Sequence, residues 1–172
     1  MLLPLCCQAS NRYDEAIKEA WENRISAVHW GHGWAQVKQE SGFDCSAVSP
    51  AGAMGCAQFM PGTWNDMVRL GIVPEKAKPF NPRYSFQAQA FYMEYLLRTW
   101  NRNRTYESWV NLATASYNAG LGNVLKAQKL CGYAAEYGDI VKCLPDVTGR
   151  HHKETLQYVN RINRYRLERF GK

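Results

Sequence analysis

Apolar side chains recur along this chain at intervals of three and four, the spacing of one helix face. Tyr13, Ala16, Ile17, Ala20, Trp21, Ile25 and Val28 predict a first amphipathic helix, with Ser10 or Asn11 placed to cap it. A glycine-punctuated turn from His29 to Gly33 leads into a short helix from Trp34 to Ser41, which Gly42 ends. A loop rich in Gly, Ser, Pro and Ala spans Phe43 to Pro61, and a short helix begins near Thr63. Pro74, Pro79 and Pro82 mark an extended connection. Helical spacing returns from Ser85 to Trp100 through Phe86, Ala90, Met93 and Leu97. It returns again at Trp109, Leu112, Ala113, Ser116 and Tyr117, stopped by Asn118-Ala119-Gly120, and from Asn123 to Leu130. The last helix runs from Lys153 to Phe170 through Leu156, Tyr158, Val159, Ile162 and Tyr165. No sustained alternation of period two and no internal repeat breaks the series, so the fold class is mostly α.

At 172 residues and 19.7 kDa the chain has the size of a single domain, read as residues 13–172 behind an N-terminal tail or residual leader, residues 1–12. Met1 to Ser10 is apolar at first and then small, but lacks the positive start of a complete signal peptide. Hydrophobic residues make up 46% and charged residues 21%, which excludes a disordered chain. The longest apolar run, Met1 to Cys7, falls far short of a transmembrane segment.

The net charge is +6, and most of the excess lies between Arg150 and Lys172, where seven basic residues face two acidic ones. Such an end either attracts polyanions, among them nucleic acid, anionic lipid or the bacterial wall, or is a solvated helix face. Six cysteines without a CxxC pair argue against zinc. The short separations Cys45 to Cys56 and Cys131 to Cys143 fit two disulfides in an oxidising compartment, with buried thiols the alternative for the first pair. His29, His32, His151 and His152 lack a convincing third ligand and read as surface histidines, so no metal is expected. Trp30, Trp34, Trp64, Tyr92 and Tyr133 are expected mostly in the core.

Three stretches carry polar residues that a plain helical core does not need. In Gln39-Glu40-Ser41-Gly42-Phe43 a glutamate closes an apolar helix. Desolvation beside aromatics disfavours its charged form and suits it to donate a proton; an exposed helix-end glutamate is the alternative. The loop Ala47 to Pro61 has small residues that let a ligand approach its backbone. Ser116-Tyr117-Asn118-Ala119-Gly120 places a tyrosine and an asparagine at a helix end, either at a site or as a core tyrosine before a turn.

Read in order, Glu40-Ser41, then Ala47-x-Ser49-x-x-Gly52-Ala53-x-Gly55-x-x-Gln58-x-Met60-Pro61, then Tyr117-Asn118-Ala119-Gly120, then Glu154-Thr155-x-x-Tyr158-Val159 resemble the soluble lytic transglycosylase family. These peptidoglycan-cleaving enzymes have a lysozyme-like fold, and the resemblance covers Trp34 to Ile162. The chain departs from the family pattern at Cys56-Ala57, where Leu-Met is usual, and at Ser116, where Ala is usual. The tail from Cys143 to Glu154 resembles phage-encoded members, endolysins or virion-associated wall enzymes.

The resemblance implies cleavage of the bond between N-acetylmuramic acid and N-acetylglucosamine by one carboxylate, Glu40, as acid and then base. It yields a 1,6-anhydro product. It further implies that Ser49 orients the substrate acetamido group, that Gln58 and Asn118 hydrogen-bond sugar, and that Met60 lines the groove. Tyr117 would contact Glu40 or the acetamide, with Glu154 and Tyr158 beside the substrate. The implied partner is the glycan strand of peptidoglycan, met outside the cytoplasm by a monomer with no cofactor and no nucleic acid. Two alternatives remain: a goose-type-like muramidase, with Asp44 or Asp66 holding a water, and an inactive wall-binding or virion module. Asp44 itself reads as a turn residue.

Overall fold

The computed structural model describes residues 12–171, so the leader and the caps expected at Ser10 or Asn11 lie outside it. Its helices are α1 (Asp14–Glu22), α2 (Gly31–Ser41), α3 (Pro61–Arg69), α4 (Pro82–Thr99), α5 (Tyr106–Ala119), α6 (Leu121–Leu130), α7 (Tyr137–Ile140), α8 (Leu144–Thr148) and α9 (His152–Phe170). Two 3-10 turns, Val141–Cys143 and Gly149–His151, flank α8. Among the described residues there is no strand, only isolated antiparallel bridges at Val48, Met54 and Phe59. The expectation of a mostly α fold is met. The described residues form two compact units, 12–91 with 162–171 and 92–161.

In the first unit, Ile17 and Trp21 of α1 are buried with Trp34 and Val37 of α2, Trp64 and Met67 of α3, and Phe86 of α4. α1 was expected to reach Val28 but ends at Glu22. The Trp21 indole donates to the Val28 carbonyl at 2.8 Å, which folds the chain back and buries Ile25 and Val28 without helix. Gly33 lets α2 meet that indole, since a Cβ there would stand 2.4 Å from the Trp21 ring. The last turn of α9 closes the unit: Arg169 pairs with Asp14 at 2.5 Å and lies over the Trp34 ring at 4.2 Å. Burial raises the Asp14 carboxyl above its usual range, against the opposing pull of Arg169.

α3 and α4 begin at prolines, Pro61 and Pro82, ahead of the expected starts at Thr63 and Ser85. A proline's fixed φ and missing N–H suit the first helical position, so Pro82 opens a helix instead of extending the connection.

In the second unit α5 is buried along Val110 to Ser116. Its first turn is capped by Thr105, whose hydroxyl accepts the Ser108 N–H, and Glu136 binds the Thr105 N–H and hydroxyl at 3.1 and 2.7 Å. The Trp100 indole donates to Ser116 Oγ at 2.9 Å, both groups buried. Cys131 and Cys143 are joined, tying the end of α6 to the start of α8. The short helices between 137 and 151 were not expected, because four or five residues are too few to show a period.

Two expectations are corrected. His32 is fully buried (0% exposed), on the face of α2 that meets Trp21, ring centroids 5.9 Å apart. Tyr133, in the turn after α6, is 70% exposed and not in the core.

Burial, with Arg166 nearby, pushes the His32 pKa down to about 3. The unfolded chain therefore takes up a proton below its ordinary value of 6.5 that the folded chain refuses. This contribution to stability is complete above that value and is lost as pH falls, by up to about 1.4 kcal/mol per pH unit. Urea unfolding at stepped pH should show this slope, and His32→Gln should flatten it.

Candidate active site

The C-terminal end of α2 sets the position of Glu40. Gly42 stops the helix in the left-handed conformation, φ 61°, and its N–H returns to the Lys38 carbonyl at 3.1 Å. Phe43 follows with φ 71°, a strained choice for a side-chain-bearing residue. Its ring packs on Trp34, centroids 5.3 Å apart, so the chain leaves α2 along an aromatic surface. Glu40 itself is half-buried.

The loop from 43 to 60 is bound to that helix end by Ser41, whose Oγ donates to the Cys56 carbonyl at 2.8 Å, and it is closed on itself by a disulfide between Cys45 and Cys56, 11 residues apart. The disulfide settles the alternative for this pair.

Inside the loop, backbone hydrogen bonds replace regular structure. Ser49 N donates to Ala53 O, Gly55 N to Ala47 O, and Met54 and Phe59 exchange bonds at 2.9 Å. Ser49 Oγ accepts the Ala53 N–H at 3.0 Å, which leaves its own proton to donate. Gln58 has φ 51°, and its side-chain amide donates to the carbonyls of Gly55 and Ala47 at 3.0 and 3.3 Å. Met60 is 46% exposed, immediately before α3.

The other expected residues belong to the second unit. Asn118, in the last turn of α5, receives the Thr155 hydroxyl at 2.8 Å on Oδ1 and directs Nδ2 toward Glu154 Oε1 at 3.5 Å. Glu154 is exposed. These side chains border an open cleft of about 340 Å³. The Tyr117 ring lies 5.3 Å from that of Tyr92. Tyr158 is only 4% exposed and offers little surface to a ligand.

Two residues beyond those expected act here: Thr155, beside Glu154 in its motif and buried on the first turn of α9, orients Asn118, and Ser41, beside Glu40, holds the loop; their places in the motifs are the signal the sequence carries. The two other acids considered are engaged elsewhere. Asp44 accepts the N–H and hydroxyl of Ser46, which hold its carboxyl below the usual range, and Asp66 pairs with Arg69 at 2.8 Å.

These helices and this ordered set of side chains define a lysozyme-like protein. The family model described as Transglycosylase SLT domain matches residues 25–138, and the chain belongs to that family. Among curated relatives, the soluble lytic murein transglycosylase of Salmonella typhimurium is 31% identical over 100 residues, 56% of this chain and 15% of that protein. Its counterpart in Escherichia coli is 32% identical over 93 residues, 52% of this chain and 14% of that protein. The chain thus spans about 15% of the length of these relatives.

Among solved structures, the 70-kDa soluble lytic transglycosylase of E. coli superposes with a TM-score of 0.71 at 24% identity, over 90% of this chain and 23% of that one. An inactive Glu-to-Gln mutant of the lytic transglycosylase Slt of Pseudomonas aeruginosa gives 0.70 at 26% identity, with the same coverage.

Gly55 combines φ 77° with a site where a Cβ would stand 1.9 Å from the Pro79 carbonyl oxygen. Gly55→Ala should therefore cost about 2–4 kcal/mol, overpacking and backbone strain together, read as a lower denaturation midpoint.

Proposed function

We propose that the chain is a peptidoglycan lytic transglycosylase in which Glu40 is the single acid and base. The observation that carries this reading is the half-buried Glu40 at the end of α2, fastened through Ser41 to the disulfide-closed loop that bears Ser49 and Gln58. Membership of the transglycosylase SLT family supports it, as does the inactive Glu-to-Gln mutant among the structural neighbours.

In this reaction Glu40, protonated, gives its proton to the glycosidic oxygen between N-acetylmuramic acid and N-acetylglucosamine, and the C1–O bond breaks. The substrate acetamido group, oriented by the Ser49 hydroxyl, supports the positive charge at C1. The Glu40 carboxylate then takes the proton of the muramoyl C6 hydroxyl, whose oxygen closes on C1. The product is a 1,6-anhydro sugar; no water is consumed, and Glu40 ends protonated, as it began. Asn118, held by Thr155, hydrogen-bonds sugar, and Glu154 lies beside it as a further polar contact. Met60 offers an exposed apolar side chain to the sugar face. Gln58 spends its amide N–H groups on the loop, which leaves its carbonyl oxygen to accept from a sugar hydroxyl.

A muramidase would need a second carboxylate to hold water. The Asp44 and Asp66 contacts with Ser46 and Arg69 favour the transglycosylase over that reading. The place of action is the cell wall outside the cytoplasm, where two disulfides form and persist. No helix among the described residues is long and apolar enough to cross a membrane. The protein acts as a monomer without cofactor.

Mass spectrometry of muropeptides released from purified peptidoglycan tests the reading. The products should be one water lighter than hydrolysis products, and Glu40→Gln should lower their release by about two to four orders of magnitude. Hydrated reducing ends from the wild type would replace the transglycosylase by the muramidase, and full activity in the mutant would remove Glu40 from the chemistry.

A further inference from the structure

The first unit carries a second open cleft, of about 680 Å³, which shares no residue with the site described above. Ala16 and Ala20 of α1 and Ile72 of the connection before α4 give it an aliphatic floor. Its polar lining has charges of both signs: Glu19 on α1, Arg24 in the turn after it and Arg83 in the first turn of α4.

Three observations bear on what this lining would take. Arg24 is packed over the Phe91 ring, 5.0 Å from its centroid, so one guanidinium is ordered before any ligand arrives. Glu19 and Arg83 make no ion pair with another described residue, although both are exposed and within the same cleft. The arrangement thus offers a planar fork for a carboxylate, an acceptor for an ammonium and an apolar surface for a short aliphatic chain. A zwitterionic peptide meets both charges, whereas a nucleic-acid phosphate would be repelled by Glu19.

We propose that this cleft binds the peptide stems of peptidoglycan, through a stem carboxylate on Arg83 and a free stem amine on Glu19. The inference rests on the proposed function, since it concerns the polymer that Glu40 cleaves. Stem binding here would hold a peptide-bearing strand, or its neighbour in the wall, without touching the glycosidic bond. The cleft would therefore act on substrate affinity and leave the chemical step alone.

The test uses the full chain and a synthetic stem tripeptide ending in meso-diaminopimelate, with the same peptide amidated at its carboxylates as control. Arg83→Glu is tolerated by the fold, because an acid in the first turn suits the helix dipole. Titration should show the tripeptide binding the wild type, with affinity at least tenfold weaker in Arg83→Glu and equally weakened by amidation. Glu19→Gln should weaken binding of the tripeptide but not of its N-acetylated form. In cleavage assays the ratio of kcat/KM on peptide-bearing over peptide-stripped glycan should fall about fivefold in Arg83→Glu, through KM. Equal tripeptide binding by wild type and Arg83→Glu, or an unchanged ratio, would overturn the proposal. A wild type that cleaves neither substrate would remove the reading of Glu40, and the titration alone would then decide the cleft.

Discussion

The link between the end of α2 and the loop that follows it is the constraint on which the placing of Glu40, Ser49 and Gln58 depends. That loop contains no regular element, so its polar backbone must be satisfied by turns, and its shape must be imposed from outside. Phe43 and Gln58 adopt left-handed conformations at a cost of about 1–2 kcal/mol each. The Cys45–Cys56 bond removes about 3 kcal/mol of loop entropy from the unfolded chain, the same order as the strain it accompanies. The Ser41 hydrogen bond adds direction to that tether, because it fixes the residue next to Glu40 to the residue beside Gly55. The role proposed for Glu40, to give and then take one proton, needs this fixity, since a displacement of even 1 Å at the reacting atoms is costly.

The two departures from the family pattern have one logic. Cys56 stands where Leu is usual, and its partner Cys45 turns a packing position into a covalent one. Ser116 stands where Ala is usual, and its buried hydroxyl accepts the Trp100 indole N–H. An indole donor or a serine hydroxyl buried alone would each cost about 1–3 kcal/mol, whereas together they satisfy one another. Both changes are therefore halves of pairs: the family residue at 56 would strand the Cys45 thiol, and at 116 the Trp100 indole N–H.

Much of this was legible in the chain. The helical period of Trp34, Val37, Phe86, Met93, Leu97 and Ile162 located the core, and all six are buried. Asp44 read as a turn residue and is one. What periodicity could not carry was anything decided by a distant partner. Ile25 and Val28 keep the spacing of a helix but are buried by the Trp21 indole in a turn. His32 looked like a surface histidine because a lone imidazole has no local signature of burial, and only Gly33 beside it, which admits Trp21, set its surroundings. The motif placed Gln58 against sugar, whereas its spacing gave no sign that two of its donors hold Ala47 and Gly55. Tyr158 belongs to the same motif as Glu154, yet four residues along a helix put one in the core and the other in solvent.

The proposed single-carboxylate chemistry places an unusual demand on a loop. A hydrolase can correct for imprecision with a mobile water, positioned by a second acid, but in a transglycosylase the attacking hydroxyl belongs to the sugar ring itself. Its position is then fixed by how the sugar is held, so the groups that orient the substrate carry the work that a second carboxylate would otherwise do. Asn118 illustrates this: Thr155 satisfies its carbonyl oxygen, so the amide orientation is determined and Nδ2 faces Glu154. Ser49 is constrained in the same way, its oxygen committed to the Ala53 N–H and its proton left to donate to an acceptor. Each polar side chain has one function already spent on the protein, and what remains points one way. Under the proposed chemistry, a small helical scaffold dispenses with a second acid by restricting the substrate's own atoms more tightly than it could restrict a water.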